Sequence, residues 1–523
     1  MTESNRRVLA IDLGTSGLKA ALISERGDVS ARAFRSIGTQ QIPPNGAEQD
    51  PDLIWDAVSS AAREVIGASG VPTESIVAVA AASQYFSIVP VGVDGRAVGP
   101  LLLWQDGRGG PHSMAVYRRH PAAFQRWMEI HGIPPQNTGA DSLSKMLWVQ
   151  AERPAVYEKT RCFLEPADFV LARLSRRFTA SVCTAFSMLL TNNNDLSALS
   201  WDDELLTMSG IDRAKLPELV PPNSVIGTVD PAVAEELGLS PQTVVVSGAN
   251  DTQAAAIATA TFRPFAGALN LGTTGQVLAH IAAKKGDLAR SLVSMPSAVP
   301  GRYMVMAENG IAALSLGYFL NRVIFANDEL ARQTSAEPFA GLEAAVESTP
   351  PGAGGLLFLP SLTGVVSPDT EPNARGAFVN IGLETDRARM VRAILEGVAF
   401  SLRGVLEAVE EFTGDSYPEL RFSGGGARSA AWAQICADIT GRPVSALTDP
   451  VHSNNGASAL LAFQTLGAAS LEDIERFCPV RPTLEPRPAS RDLYDHLFRQ
   501  FKASYAALRP VFNSLNAPGS LSA

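Results

Sequence analysis

The stretch VLAIDLGTSGLKAALIS, residues 8–24, carries the pattern that organises the whole chain. An apolar run leads into a turn of glycine and hydroxyl residues and then into a second run of strand type, which predicts a β-hairpin. The pattern returns in ALNLGTTGQVLAHI, residues 268–281, when the chain is compared with itself at an offset of 258 positions. Seven of the fourteen aligned positions are identical, namely Ala10/Ala268, Leu13/Leu271, Gly14/Gly272, Thr15/Thr273, Gly17/Gly275, Ala21/Ala279 and Ile23/Ile281.

This long offset indicates a chain of two similar halves, because solenoid repeats run to only about 50 residues. We expect the halves to meet near residue 248, with an N-terminal domain over 1–247 and a C-terminal domain over 248–523. Strand signals such as SIVAVAAASQ (75–84) alternate with helix signals such as residues 387–412, whose apolar positions follow a 3.6-residue period. The alternation predicts α/β domains with mixed sheets.

Composition restricts the class of protein. Hydrophobic residues make up 46% of the 523 residues and charged residues 18%, which is typical of a large folded protein rather than a disordered one. The net charge of −10 and the lack of a long basic run argue against non-specific binding to nucleic acid or acidic membranes. The apolar run Val8–Ile11 is far too short for a signal peptide or a membrane span, so we expect a cytoplasmic protein.

The four cysteines form no CxxC pair, and neither they nor the six histidines have metal-ligand spacing. We expect reduced, mostly buried thiols and structural or exposed histidines.

The two glycine-hydroxyl turns are candidate phosphate sites. Such a turn offers backbone N–H groups and hydroxyls to phosphate oxygens, although a single copy is equally well explained as a tight hairpin. It is not a P-loop, because no GxxxxGK[ST] occurs and a strand follows the turn. Asp12 of the first copy becomes Asn270 in the second. A carboxylate there suits water-mediated Mg²⁺, whereas the alternative is an Asp that only satisfies turn amides.

Two further motifs have competing explanations. In TVVVSGANDTQAAAIATA, residues 243–260, Asp251 stands where a helix begins, either as a simple N-cap or as the base that takes a proton from an attacking hydroxyl. SGGGARS, residues 423–429, lies between a strand and a helix. It offers a shelf for a flat adenine or ribose, and the alternatives are a dinucleotide fingerprint or close packing of helix on strand.

Taken in order, these motifs resemble the FGGY carbohydrate kinases, with the xylulokinase branch nearest, over about residues 7–468. The resemblance also uses LLWQDGR (102–108) and ARGAFVNIGLETDRARMVRAILEGVAF (374–400). It implies two ribonuclease-H-like, actin-like ATPase domains that close an interdomain cleft on ATP, Mg²⁺ and a small-molecule sugar or polyol. Dimerisation is an expectation at the level of the family.

The resemblance also implies roles for individual residues. Asp251 would be the catalytic base and Asp12 the magnesium-associated carboxylate. The ATP-binding positions would be Thr15 and Ser16 in the first turn, Gly272, Thr273 and Thr274 in the second, and Gly424, Gly425 and Gly426 as the adenosine shelf. The sugar-facing positions would be Gln84, Tyr85, Phe86, Trp104, Asp106 and Thr252.

The departures from the family pattern fall mainly on the sugar side. Gln84-Tyr85-Phe86 replaces Gln-Met-His, Thr252 replaces the Asn after the catalytic Asp, TGVVSP (363–368) replaces an SGERTP-like stretch, and Asp141 stands where relatives often have an aromatic residue. We therefore predict an ATP-dependent kinase for a primary hydroxyl of a ketose or polyol, without assigning D-xylulose. The alternatives are an actin- or chaperone-like nucleotide-dependent switch without a sugar substrate and a dehydrogenase that uses SGGGARS.

Overall fold

The structure is a computed structural model that describes residues 6–325 and 341–517. Up to the motif around Asp251, the chain forms the following strands and helices in order: β1 (Arg7–Gly14), β2 (Gly17–Ser24), β3 (Val29–Ser36), β4 (Gln40–Ile42), β5 (Gly46–Gln49), α1 (Pro51–Ser69), β6 (Ile76–Ser83), β7 (Val89–Val91), β8 (Leu101–Leu102), α2 (Gly110–Arg119), α3 (Ala123–Ile130), α4 (Ser142–Glu152), α5 (Pro154–Lys159), β9 (Cys162–Leu164), α6 (Pro166–Ser175), β10 (Thr179–Ser181), α7 (Val182–Ala185), α8 (Asp203–Ser209), β11 (Glu218–Val220), β12 (Val225–Thr228), α9 (Pro231–Leu237), β13 (Val244–Val246), β14 (Ala249–Asn250) and α10 (Asp251–Ala258).

The remainder of the described chain continues with β15 (Ala266–Leu271), β16 (Thr274–Ile281), β17 (Gly286–Asp287), β18 (Leu292–Pro296), β19 (Tyr303–Ile311), α11 (Ala313–Phe319), α12 (Leu342–Ser348), β20 (Leu357–Leu359), β21 (Ala377–Val379), α13 (Arg387–Thr413), β22 (Glu419–Ser423), α14 (Ala430–Thr440), β23 (Val444–Ala446), α15 (Ser453–Thr465), α16 (Ile474–Phe477) and α17 (Arg491–Asn516).

Two large sheets share a common order of five strands. The first runs β12-β13-β6-β1-β2-β3, and the second, written from its other edge, runs β23-β22-β15-β16-β19-β18-β17. The shared part is β13-β6-β1-β2-β3 in the first sheet and β23-β22-β15-β16-β19 in the second. In each, the hairpin strand β1 or β15 pairs antiparallel with its hairpin partner and parallel with β6 or β22 on its other side. A further parallel strand, β13 or β23, follows beyond. The duplicated α/β fold predicted from the sequence repeat is therefore confirmed, whereas the boundary near residue 248 stays a prediction.

The first hairpin strand is buried on both faces, which explains its nearly continuous apolar sequence. Leu9, Ile11 and Leu13 lie in the core that α1 covers, whereas Val8 and Ala10 lie in the core formed with α10 and α15. Because side chains alternate along a strand, Asp12 faces the same side as Val8 and Ala10. The only charged side chain of β1 after Arg7 is thus directed toward α10 and α15.

Helix α10 lies between the two sheets. Its Ala254 and Ile257 pack into the core of the first sheet, and Ala255 and Ala256 pack with side chains of the second sheet such as Leu278. Small alanine side chains let both sheets approach the helix closely. The first residue of α10, Asp251, is consequently placed at the junction of the two halves.

Helix α15 follows the second sheet in sequence but packs on the first. Asn455 donates its side-chain N–H groups to the carbonyl oxygens of Ala10 at 2.9 Å and Lys19 at 3.1 Å, which ties the helix to both strands of the first hairpin. The chain therefore crosses back to the first sheet after it has completed the second.

Several local predictions are confirmed and two are wrong in part. The strand at 75–84 and the helix at 387–412 form as β6 and α13. The apolar stretch FSIVPVGV (86–93) predicts a strand, which the structure limits to Val89–Val91, because Phe86 takes a left-handed backbone conformation with φ of 55°. The many prolines and glycines of residues 349–375 predict a loop, but this segment contains the short strand β20.

The four cysteines are free and buried, as predicted. Within residues 6–325 and 341–517, no helix combines the length and the apolar character needed to cross a membrane.

Candidate active site

The first turn joins a predicted phosphate-binding residue to two predicted sugar-facing residues. Thr15 and Ser16 form a two-residue turn between the paired Gly14 and Gly17. The Thr15 hydroxyl donates to Gln84 Oε1 at 2.9 Å, and the indole N–H of Trp104 donates to Thr15 Oγ1 at 3.0 Å. The first turn and these two positions therefore form one hydrogen-bonded unit.

Gln49 completes this unit, although nothing in the sequence pointed to it. Its side-chain N–H₂ group donates to the Thr15 carbonyl oxygen at 2.7 Å, and its Oε1 accepts from Gln84 Nε2 at 3.1 Å. Gln49 is buried at the end of β5. A glutamine outside any glycine or aspartate motif leaves no local signal, and only the tertiary contact reveals it.

Asp12 lies beside this turn with a cation opposite it. The register of the first hairpin pairs Asp12 with Lys19, whose Nζ is 3.0 Å from Asp12 Oδ2. The side-chain amide of Asn454 donates to Asp12 Oδ1 at 3.4 Å. The carboxylate is only 2% exposed, so it is held by polar contacts within a nearly closed environment.

Asn250, and not Asp251, caps helix α10. Asn250 Oδ1 accepts from the backbone N–H of Gln253 at 2.8 Å, so the explanation of Asp251 as a simple N-cap is wrong. Asp251 is the first residue inside the helix, where its Oδ1 accepts from the Thr252 hydroxyl at 3.2 Å. With the cap supplied by its neighbour, the Asp251 carboxylate is not committed to the helix end.

The pKa of Asp251 is raised to about 7. Burial is the largest cause, and the negative charge of Asp12 acts in the same direction. Hydrogen bonds from Thr252 and the charge of Lys19 lower the pKa by less. A carboxylate whose pKa lies near neutrality can accept a proton from a hydroxyl more effectively than an ordinary surface aspartate.

These two carboxylates fit a magnesium ion that arrives with a nucleotide. Magnesium keeps several waters and binds through one or two carboxylates together with substrate phosphates, rather than in a cage of protein ligands. The described residues accordingly contain no cluster of three or more His, Cys, Asp or Glu side chains able to hold a metal. The negative charge of Asp12 raises the pKa of Asp251, so the two carboxylates interact, and Lys19 is the cation that already faces Asp12.

The second turn differs from the first in register and in charge. Leu271 pairs with Gly275, so Gly272, Thr273 and Thr274 form a three-residue loop where the first hairpin has two residues. The two hairpins align in sequence without gaps, yet the pairing of their strands differs by one residue. Asn270 donates its Nδ2 to Gln276 Oε1 at 2.9 Å and accepts from the Ser423 hydroxyl at 3.0 Å.

Two further residues at the second turn were missed by the sequence analysis. Asn309 Oδ1 accepts from the Gly275 backbone N–H at 3.1 Å, and Asn309 Nδ2 is buried without a partner among the described residues. The side chains of Gln276 and Thr274 bond to Glu308, whose pKa is nonetheless raised because it is buried. Both residues lie on β19, which the sequence alone does not place beside the turn.

The glycines of the motif at 424–426 have two different roles: two of them allow close packing against Leu271, and one lies at an open surface. Gly424 has φ of 79°, and a Cβ there would lie 2.6 Å from the backbone of Leu271. A Cβ at Gly426 would lie 2.1 Å from Leu271 Cδ2. A Cβ at Gly425 would instead meet no described heavy atom within 4 Å. Close packing thus accounts for Gly424 and Gly426, and Gly425 leaves a surface open.

The acid that a dinucleotide fingerprint would need is already engaged. Asp438, the nearest acid after the glycine motif, is 2% exposed and accepts from Arg487 Nε at 2.8 Å. This arrangement does not favour the dehydrogenase alternative.

The remaining predicted sugar-facing residues divide into two groups. Tyr85 donates its hydroxyl to the Cys183 carbonyl oxygen at 3.1 Å and packs on Phe86, with ring centroids 4.4 Å apart. Asp106 is 1% exposed and holds Arg108 at 2.5 Å. Tyr85 and Asp106 are therefore buried beneath the candidate site, whereas Trp104 is 38% exposed and can contact a bound molecule.

Asp141, which the sequence analysis noted as unusual, is a structural residue. Its Oδ1 accepts from the Ser144 backbone N–H at 2.7 Å, and it caps helix α4.

The chain is similar to known proteins over most of its length. Models of the FGGY family of carbohydrate kinases match with the N-terminal domain over residues 7–258 and the C-terminal domain over residues 267–464. The chain is 27% identical to xylulose kinase of Bacillus subtilis (strain 168), over 98% of this chain and 99% of that protein. It is 27% identical to gluconokinase of Bacillus licheniformis, over 83% and 82%. The crystal structure of xylulose kinase from Rhodospirillum rubrum superposes with a TM-score of 0.84 at 25% identity, covering 97% of this chain and all of that one (100%).

Proposed function

Because the chain belongs to the FGGY family of carbohydrate kinases and is an ATP-dependent sugar kinase, we propose that it phosphorylates a primary hydroxyl of a neutral ketose or polyol, with Asp251 as the base. The observation that carries this proposal is the Asp251 carboxylate. It begins the helix between the two sheets, is released from capping by Asn250, and has a pKa of about 7.

In this proposal, Asp251 orients the acceptor hydroxyl and takes its proton as the oxygen attacks the γ-phosphorus of ATP. The bond from the γ-phosphorus to the bridging oxygen of ADP breaks, and the products are the sugar phosphate and ADP. Such transfer depends mostly on positioning and on stabilisation of charge. Thr252 stabilises the ionised form of Asp251 by its hydrogen bond, and in this proposal it would lie next to the acceptor.

The two turns are proposed to hold the phosphate groups. Thr15 and Ser16 of the first turn and Gly272, Thr273 and Thr274 of the second offer backbone N–H groups and hydroxyls. Asn309 Nδ2, buried without a described partner, is a further donor beside the second turn. Gly424, Gly425 and Gly426 would support the adenosine, with Gly425 at the open surface. Asp12 would hold Mg²⁺, which supplies neutralisation of phosphate charge when it is bound.

A neutral acceptor is favoured over an acidic sugar because two cations near the proposed site, Lys19 and Arg108, are already paired. Lys19, the cation that acts on Asp251, is held by Asp12 at 3.0 Å. Arg108 is held by Asp106 and, at 2.6 Å, by Glu48. A carboxylate on the substrate would approach Asp12 and Asp251 with neither cation free to receive it. Among the names of the relatives, this argument favours xylulose over gluconate.

The alternative of a nucleotide-dependent switch without a sugar substrate finds no support among the relatives, which are named as sugar kinases. A homodimer and a cytoplasmic location remain predictions, as does the absence of nucleic-acid binding.

The test is ADP release by purified protein with ATP and Mg²⁺ over D-xylulose, D-ribulose, xylitol, glycerol and D-gluconate. We expect one neutral acceptor to stimulate release strongly, D-gluconate to stimulate it least, and Asp251→Asn to lose the stimulation by about 10²- to 10⁴-fold. Strong stimulation by D-gluconate would contradict the neutral acceptor. Normal turnover of Asp251→Asn would contradict the assigned base.

A further inference from the structure

A cavity of about 220 Å³ lies between helices α13 and α17, on the side of the molecule formed by the second half of the chain. These are the two longest helices in the described residues, with 27 and 26 residues. The third wall is the segment 365–374, which belongs to the proline- and glycine-rich region 349–375. The role of this segment is not explained by the kinase site.

The walls of the cavity are aromatic. Phe400 of α13 and Phe498, Phe501, Tyr505 and Phe512 of α17 line it. Phe501 and Tyr505 meet edge to face with centroids 5.2 Å apart, and Phe400 packs on Phe501 at 5.6 Å. The Tyr505 hydroxyl is bonded to the Ser361 hydroxyl, so the ring is fixed in place. Aromatic walls of this kind favour a ring that can pack against them.

Small residues keep the cavity open where larger ones would fit. Gly404 of α13 and Ala506 of α17 both line it. A Cβ at Gly404 would have Phe498 Cζ as its nearest neighbour, at 4.0 Å, which is ordinary contact with no crowding. Glycine inside a helix costs stability relative to alanine, by roughly 1 kcal/mol. Closing the gap with a larger side chain at this position would therefore stabilise the helix, yet the gap is kept.

The charged residues at the rim cancel. Asp369, Glu371, Lys502 and Arg509 line the cavity, giving two negative and two positive charges. Arg509 Nε is 2.6 Å from Glu371 Oε1, and Lys502 lies over the Phe498 ring at 4.5 Å. A charged ligand would therefore gain no net attraction and would have to disturb these contacts. The rim favours an uncharged molecule.

The lip of the cavity is joined to the second turn. The backbone N–H of Ser367 donates to the Glu308 carbonyl oxygen at 3.1 Å. The Glu308 side chain is in turn bonded to Thr274, one of the predicted phosphate-binding residues. A molecule that displaces Ser367 or Pro368 would therefore act on the strand that supports this turn. Such a contiguous set of contacts is a physical route for coupling between two sites.

We propose that this cavity binds an uncharged molecule with one aromatic ring and that its occupancy changes the affinity of the kinase for ATP. The volume exceeds that of an engineered cavity of about 150 Å³ that holds benzene, so a substituted single ring fits. A nucleotide or a sugar phosphate would bring uncompensated charge against an apolar wall.

The test uses ¹⁹F NMR on the full-length protein with three single-ring probes that differ in charge: 4-fluorophenol, 4-fluorobenzoate and 4-fluorobenzylamine. We expect saturable binding of neutral 4-fluorophenol, with the anion and the cation bound several-fold more weakly. Gly404→Leu should weaken 4-fluorophenol by about tenfold or more, because the added side chain occupies the cavity. Gly67→Leu is the matched control, since Gly67 also lies in a helix and a Cβ there meets no described atom within 4 Å.

The KM for ATP, measured with and without saturating 4-fluorophenol, is the second readout. It should change in the wild type and in Gly67→Leu but not in Gly404→Leu. If Gly404→Leu does not fold, Ala506→Met takes its place. The proposal is overturned by binding that does not saturate, by equal binding to the cavity-filled variant, or by a KM for ATP that is the same at saturation.

Discussion

The two hairpin turns share one sequence pattern, but the side chains around them differ. The first turn has a buried carboxylate, Asp12, opposite Lys19 and close enough to Asp251 to raise its pKa. At the equivalent place the second turn has Asn270, which makes neutral contacts with Gln276 and Ser423. The first turn is bonded to Gln84 and Trp104, and the second lies next to the glycine motif.

This difference shows how two similar halves can take different roles at one site. Both halves keep a glycine-hydroxyl turn, with two residues in the first loop and three in the second. Only the first half has a carboxylate, Asp12, at the aligned position, where the second has Asn270. A second carboxylate at this position would add negative charge around the phosphates of ATP, which electrostatic repulsion opposes. Asn270 avoids that repulsion and leaves its turn able to support the nucleotide through backbone and amide groups.

Among changes that probe the difference between the two turns, the largest expected effect comes from making the first turn resemble the second. Asp12→Asn should lower kcat by roughly ten- to a hundredfold and raise the Mg²⁺ concentration needed for half-maximal ADP release. The reverse exchange, Asn270→Asp, is the matched control and should leave the Mg²⁺ dependence much closer to that of the wild type. An equal shift of the Mg²⁺ dependence in both variants would show that the carboxylate of the first turn has no special role in the use of Mg²⁺.

A smaller effect should separate the two functions of the glycine motif. Gly426→Ala should lower the free energy of unfolding by about 1–3 kcal/mol, because its Cβ would overlap Leu271. Gly425→Ala should leave the melting temperature unchanged and raise the KM for ATP several-fold, since the methyl group enters the open surface. Thermal unfolding and initial-rate kinetics on both variants check this, and equal melting temperatures would contradict it.

The pH dependence of kcat/KM should report the interaction between the two carboxylates. Asp251 must be ionised to accept a proton, so kcat/KM for the acceptor should rise as the pH passes about 7. Asp12→Asn removes a negative charge that raises the pKa of Asp251, so the rising limb should move to lower pH. The measurement is kcat/KM across the pH range for both proteins, and superimposable profiles would argue against the interaction.

The smallest effect should come from the link between the first turn and the acceptor side. Trp104→Phe keeps a ring but removes the N–H that donates to Thr15, and it should raise the KM for the acceptor by roughly two- to tenfold. Trp201→Phe is a control, because the Trp201 N–H donates to the Pro217 carbonyl oxygen within another core. An equal change in the KM for the acceptor in Trp104→Phe and Trp201→Phe would contradict a specific role of the Trp104 N–H in acceptor binding.

Regular and repeated features were predictable from the sequence. The hairpins, the strand β6 and the helix α13 follow from apolar periodicity, which is a local property. The repeat predicted two similar halves with mixed sheets, whereas the order of the strands in each sheet is a finding of the structure.

Features that depend on distant contacts were not predictable. Gln49 reaches Thr15 across 34 positions, and Asn309 reaches Gly275 from another strand at a separation of 34 positions. The register difference between the turns leaves no trace in an alignment without gaps. Asn250 and Asp251 are both acceptable helix caps by residue type, and only the hydrogen bond to Gln253 separates them.

The return of helix α15 to the first sheet bears on how the chain acquires its structure. Asn455 reaches the strands of the first hairpin from more than four hundred residues away in sequence, and α10 shares its alanines between both sheets. A chain cut near residue 248 would leave the first sheet without the helices that cover one of its faces. The sequence repeat divides the molecule into two similar halves, but the helices that cover one face of the first sheet come from beyond residue 248, so we expect neither half to fold on its own.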